Sequence, residues 1–392
     1  MDRTTPSHSD PLPAGDAARL VGCLRGARAG ATVVATAGIH GNEPAGIEAL
    51  ERVFAALDAR GMELRGELVG LRGNLPALAR GERFVERDLN RIWPLEGEQL
   101  PPVPGPAAAA EEIERWALME QILAIEERAR GELHFLDLHT SSADGCPFFT
   151  CGDTLRNRRF ALRFPAPVIL GIEEQLDGSL LEYMNERGHI TLGVEGGQHH
   201  KESSVRHHEA TLWIALVEAG LLAPEEVPEL DAWRRLLAAA SAGVPRVMEV
   251  RYRHAIRPGD GFRMVAGFRN FQQVRAGELL ATAGEEEIRA RESGLVLLPL
   301  YQGLGEDGFF LGRRISRFWL VLSAVMRKLG LHRLVGLLPG VERHPARPGA
   351  FRVNTSVARW FPLELFHLLG YRRLRWKKNV LLVSRRKYDL VH

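Results

Sequence analysis

Cysteine is scarce: Cys23, Cys146 and Cys151 are the only three among 392 residues. So few exclude a disulfide framework and point to a reducing compartment. Cys146 and Cys151 have a C-x4-C spacing with no second pair, so they read as small buried or loop residues before a metal pair. Long apolar runs are missing too. No window reaches the ~18 apolar residues of a membrane span, and the opening MDRTTPSHSDPLPAGDAARL has no apolar core for a secretory signal. A cytoplasmic protein with no transmembrane segment is expected. No internal repeat of fixed period is present.

What is there is an ordinary globular composition, 45% hydrophobic and 26% charged, in a chain long enough for two or three domains. The formal charge of +2 conceals an imbalance. Residues 317–392 hold 16 Lys and Arg against Glu342, Glu364 and Asp389, a local +13 that leaves −11 for the rest. A basic tail or face can meet nucleic acid or an anionic membrane, although a packed domain with solvated arginines is the simpler reading.

Chemistry begins at Gly38-Ile39-His40-Gly41-Asn42-Glu43-Pro44. Ala31 to Ala37 is short, apolar and β-branched, and Pro44 to Ala59 has helical periodicity. The turn therefore lies at the carboxyl end of a strand, where open α/β sheets place ligands. A His and a Glu three residues apart can aim at one divalent ion, yet many surface turns contain the same pair. Further strands are expected at Arg19 to Arg28, Glu67 to Arg72, Glu132 to Ser142 and His189 to Glu195. A long helix is expected over Ala107 to Arg130. That alternation predicts an α/β fold with a largely parallel sheet.

Three other segments carry polar residues at informative places. Arg83 to Pro94 (RFVERDLNRIWP) sets Arg beside Asn, which suits a carboxylate grip as well as it suits a polar loop. His139 ends a strand as His40 does, with Asp137 two residues earlier as a candidate orienter. His40, Glu43 and His139 together make three ligands with an open fourth position, the pattern of a catalytic zinc. Glu195, before Gly196 and Gly197, is either a general base with glycines that let a ligand approach or a paired carboxylate. His199, His200, His207 and His208 lie among Lys201, Glu202, Arg206 and Glu209, which reads as an exposed helix entrance. Beyond Glu229 to Ala242, short Pro- and Gly-separated strands predict a smaller β-rich domain. Paired amphipathic helices (Phe318 to Met326 and Leu331 to Leu338) and one charged-flanked strand complete the chain.

In this order GIHGNEP, RFVERDLNRIWP, DLHTSS and VEGG resemble the aspartoacylase and succinylglutamate desuccinylase family, best over residues 30 to 220. The resemblance implies a zinc carboxypeptidase-like α/β fold, a mixed, largely parallel sheet with helices on both faces. It implies one Zn2+ per chain on His40, Glu43 and His139, with Glu195 as catalytic glutamate and Arg83 assisting at the carbonyl. Asn90 and Arg91 then hold the substrate carboxylate, and Arg187 corresponds to a further substrate arginine at a spacing that departs from the family. The expected activity is a deacylase acting on an N-acyl amino acid-like small molecule. The alternatives are a metallocarboxypeptidase and a non-catalytic protein binding through its basic segment. No nucleic acid partner is expected, and a homo-oligomer is left open. The expected division is an arm at 1–17, a catalytic domain at 18–235, a β-rich domain at 236–316 and a basic extension at 317–392.

Overall fold

The computed structural model describes residues 18–390 apart from 96–97, 99–101, 258, 358–362 and 378. The expected arm at 1–17 lies outside them. Its first half is built on strands β1 (Leu20–Arg25), β2 (Arg28–Ala37), β3 (Arg65–Arg72), β4 (Leu133–Ser141), β5 (Phe148–Cys151), β6 (Val168–Leu170) and β7 (Ile190–Gln198). Between them run helices α1 (Ala45–Ala59), α2 (Leu75–Arg80), α3 (Ala110–Arg128), α4 (Leu155–Ala161) and α5 (Leu180–Glu186), with α6 (Glu202–Glu218) and α7 (Leu230–Ala240) following β7.

At the centre β3, β2, β4 and β7 lie side by side and parallel, with antiparallel β1 outside β3. Alternation along β2 explains the layering. Val33, Ala35 and Ala37 join a core with α1, α6 and α7 on one face, while Val34 joins Phe135 and residues of α3 and α5 on the other. Such central strands are covered on both faces, so their apolar residues run nearly without interruption. The strands β5 and β6 have no counterpart in the sequence reading, because four and three residues are too short to show a period.

The chain continues through β8 (Val247–Ala255), β9 (Phe262–Met264), β10 (Gln273–Val274), β11 (Leu279–Ala283), β12 (Glu286–Arg289), β13 (Gly294–Leu297) and β14 (Asp307–Arg314). Strand β8 pairs parallel with β6, and β14, β13 and β10 extend the same sheet to 11 strands, while β9, β11 and β12 form a separate one of three.

Residues 317–390 contain α8 (Arg317–Lys328), a 3-10 turn at Leu331–Leu337, β15 (Val341–Arg343), β16 (Ala350–Asn354), α9 (Leu363–Leu368), β17 (Tyr371–Lys377) and β18 (Val380–Arg385). The single strand expected near the end is thus two, paired in a four-stranded antiparallel sheet. That sheet has its own core, with Phe351, Val353, Phe366, Tyr371 and Val383 in contact.

Candidate metal centre

The carboxyl ends of β2, β4 and β7 form the floor of the site. Gly38 takes a φ of +71° after β2, a conformation open to glycine at little cost. Gly41 is pressed on α2, where a Cβ would lie 2.1 Å from the Ala77 carbonyl carbon. The turn is therefore fixed from both sides, and it aims His40 and Glu43 inward. His139 comes from the adjacent end of β4.

These three buried side chains converge, each offering a ligand atom within 4.8 Å of the others. His40 Nδ1 is 3.1 Å from Glu43 Oε1 and His139 Nδ1 is 3.2 Å from Glu43 Oε2. Each imidazole is held from behind by a carboxylate, with His40 Nε2 3.0 Å from Asp88 Oδ1 and His139 Nε2 2.7 Å from Asp137 Oδ2. With both Nε2–H groups donated to carboxylates, the Nδ1 lone pairs face the centre, an arrangement that fixes the tautomer of a metal ligand. Thr36 Oγ1 in turn donates to Asp137 at 2.6 Å, and the Thr140 N–H donates to Glu43 at 2.9 Å. Two imidazoles and one carboxylate are the donor set of many open zinc sites, so these residues fit a single Zn2+.

Electrostatics follow from burial and these contacts. Burial pushes the Glu43 carboxyl up, but His40 and His139 outweigh it and hold the group well below the carboxylate range. His139 is raised well above its ordinary value, because Asp137 and Glu43 outweigh the opposing effect of burial. Glu195 lies opposite His139 in the β4–β7 register, and its Oε2 has no hydrogen-bond partner. Burial first, against the attraction of His139 and with added repulsion from Glu43, pushes its carboxyl up to about 8. It is the acid in the site with the least attachment to its surroundings, as a proton carrier requires.

Arg83, Asn90 and Arg91 also reach this cleft of about 160 Å³. Arg83 donates to Asp88 Oδ2 at 3.0 Å, and its other terminal nitrogen is 3.6 Å from Glu43 Oε1. Asn90 Oδ1 accepts from the Leu180 N–H at 2.9 Å, which ties the loop to α5. Arg91 is bound to Asp307 Oδ2 at 2.6 Å, an acid that begins β14. The loop bearing these residues is fastened by buried Glu111 of α3, which accepts the N–H groups of Val85, Glu86 and Arg87.

Arg187 is not brought to the cleft. It caps the far end of α5 and is held by the Glu126 carboxylate, so its charge is engaged on α3. The histidine cluster also departs from expectation. His207 and His208 are buried beneath β7, and His199 joins Thr140 Oγ1 at 2.7 Å and Gln302 at 3.3 Å; Lys201 and Glu202 do face solvent. Helix α6 packs both on the sheet and on α1, which forces His207 and His208 inward. Gly196 makes room for this packing and not for a ligand, since a Cβ there would lie 2.5 Å from His208 Nε2.

Asp88, Thr36 and Glu111 are the supports that sequence reasoning missed. Asp88 was visible inside RFVERDLNR, but nothing in the spacing distinguishes it from Glu86. Glu111 stands in a helix start crowded with exposed acids. Residues 298–307, between β13 and β14, supply the roof with Leu300, Gln302 and Asp307.

Residues 29–212 match the family model described as the succinylglutamate desuccinylase/aspartoacylase catalytic domain. Over these residues the chain is similar to the catalytic domain of this family. A succinylglutamate desuccinylase from Pseudomonas paraeruginosa is 41% identical over 112 residues, which cover 29% of this chain and 32% of that protein. One from Pseudomonas fluorescens is 38% identical over the same length, 31% of its own. The matched segment thus spans about a third of these curated relatives. Two solved structures share the fold: a succinylglutamate desuccinylase/aspartoacylase from Rhodobacter sphaeroides (TM-score 0.54, 20% identity, 75% of this chain and 88% of that one) and the product-bound ectoine utilization protein EutE (DoeB) from Ruegeria pomeroyi (TM-score 0.55, 21% identity, 74% and 87%). The mixed α/β architecture with helices on both faces is therefore the fold of these two structures.

Proposed function

We propose that the chain is a zinc-dependent deacylase that hydrolyses the amide bond of a small N-acyl amino acid or similar carboxylate-bearing amide. The observation that carries this reading is the convergence of His40, Glu43 and His139, braced by Asp88 and Asp137, beside a Glu195 oxygen with no partner. Similarity to the succinylglutamate desuccinylase/aspartoacylase catalytic domain over residues 29–212 supports it. Zinc held by the three residues supplies Lewis acidity for activating water and polarising a carbonyl.

The protein's own residues account for proton transfer and positioning. Glu195 accepts a proton from water as the water oxygen adds to the acyl carbon. It then returns that proton to the amide nitrogen as the C–N bond breaks, so acid and amine leave neutral in proton count. Arg83, fixed by Asp88, directs its guanidinium at the oxygen that gains charge. Asn90 and Arg91 take the substrate carboxylate, with Asp307 setting the guanidinium plane and competing for it.

The test is product detection by mass spectrometry with zinc-loaded protein and a mixed panel of N-acyl amino acids and dipeptides. Release of an amino acid from an acylated member, abolished by Glu195→Gln, is expected. Turnover of dipeptides alone would replace the reading with a carboxypeptidase, and no turnover of any member would end it.

A further inference from the structure

Helix α8 packs Leu320 and Met326 on the cores beneath it but turns a second set of apolar residues outward, against the usual amphipathic rule. Its buried positions are Ser323 and Arg327. Ser323 Oγ donates to the Leu368 carbonyl at 2.9 Å; Arg327 bonds to Asp153 Oδ2 at 2.9 Å and to Asp389 Oδ1 at 3.0 Å. Outward, Phe318, Val321, Val325 and Leu329 are 65%, 58%, 46% and 69% exposed, and the 3-10 turn adds Leu334 at 54% and Leu337 at 81%. Steps of three, four and four residues place the four helical side chains in one stripe. A polar residue inward would not by itself expose the apolar ones. These outward residues form an apolar ridge on the surface, of the kind that marks an interaction site.

Charge indicates what that ridge meets. From Arg317 to Gly340 there is no Asp or Glu, while Arg317, Lys328 and Arg333 are all exposed along it. Nucleic acid has use for the cations but none for an apolar ridge. An apolar protein groove has use for the ridge but none for the cations. A bilayer with anionic headgroups takes both, with apolar side chains at the acyl boundary and cations among the phosphates. No helix among the described residues is long and apolar enough to cross a membrane, and α8 with 12 residues suits lying in the interface plane.

We propose that α8 and the 3-10 turn after it form a peripheral docking surface for an anionic membrane. The test sediments the full chain with phosphatidylcholine vesicles, and with vesicles of three parts phosphatidylcholine to one part phosphatidylglycerol. Binding tighter by tenfold or more to the anionic vesicles, weakening as salt rises, is expected from two or three cations at the surface. Val325→Asp with Leu329→Asp removes binding to both vesicles, while an unchanged melting curve shows the fold intact. Lys328→Glu with Arg333→Glu removes the anionic preference. Absence of vesicle binding, or equal binding to both compositions, overturns the proposal. So does a dimer that the aspartate variants split, which assigns the ridge to a second copy of the chain. None of these measurements depends on hydrolysis, so the result stands apart from that of the deacylase test.

Discussion

At the scale of the residue, the candidate site rests on side chains that orient other side chains. Asp88 and Asp137 touch no substrate, yet each fixes an imidazole through Nε2. Asp88→Asn or Asp137→Asn is expected to weaken zinc binding by about 10- to 100-fold, read by competition with a zinc chelator; unchanged affinity in both variants would remove the bracing role. Glu195 sets the pH response. A base works when deprotonated, so kcat/KM falls as pH drops through its pKa, between the ordinary ~4.3 of a glutamate and the value near 8 to which burial pushes it. A bound dication pulls that limb toward the lower end. A profile flat down to pH 4 would take the base role from Glu195. Of these residues, His40, Glu43, His139 and Glu195 were legible because each ends a strand or opens a turn in a recurring motif. Asp88 and Thr36 were not, because their meaning lies in what they face.

Elements matter where they tie the chain's opposite charges together. Acids on α5 and the 3-10 turn before it receive arginines of the extension: Arg386 bonds Glu173 and Glu174 at 2.6 Å, and Arg372 bonds Glu182 and Glu186. Glu173 and Glu182 also line the cleft, so the extension backs one wall of it. On α8, Arg327 neutralises Asp153 and Asp389 out of water. Arg327→Met leaves Asp389 with only the Leu155 N–H and Asp153 with Arg158, and is expected to cost about 3 kcal/mol of stability, measured by urea unfolding; a loss under 1 kcal/mol would mean that water reaches the pair. Pairs of this kind, made by Arg327, Arg372 and Arg386, take part of the basic charge near the end out of solvent. The sequence shows their charge and cannot show that their partners lie 200 residues upstream.

The whole molecule responds to pH through the same contact. Asp153 and Glu174 are buried, which raises a carboxyl, but Arg158 and Arg327 on the first and His367 and Arg386 on the second hold both below the carboxylate range. Their folded pKa is below the unfolded one, so their stabilisation is present above ~4 and is lost as pH falls below it. His367 runs the other way. Glu174 outweighs burial and raises it, so its contribution is complete below ~6.5 and fades as pH rises through the raised value. Melting temperature against pH should therefore fall on both sides of a maximum, and His367→Gln should flatten the alkaline side and, by taking the imidazolium from Glu174, part of the acid side too. Removal of 317–392 uncovers buried acids and the apolar residues beneath them, and the expected product is an insoluble or unfolded chain. A truncated protein with an unchanged melting temperature would show the extension to be an independent unit.

By itself the sequence determined the central parallel strands, the turn that carries His40 and Glu43, and the ends of β4 and β7. Apolar runs and glycine-bounded turns are local, and the spacing of donors along a strand end is local too. Only the tertiary structure decided that Asp88 stands behind His40, which arginines are already engaged and that α8 buries Ser323 and Arg327. Those outcomes depend on contacts between residues far apart in the chain, 48 positions for His40 and Asp88 and 216 for Arg91 and Asp307. No period or spacing along a chain encodes such a contact, because it exists only once packing has brought the two segments together.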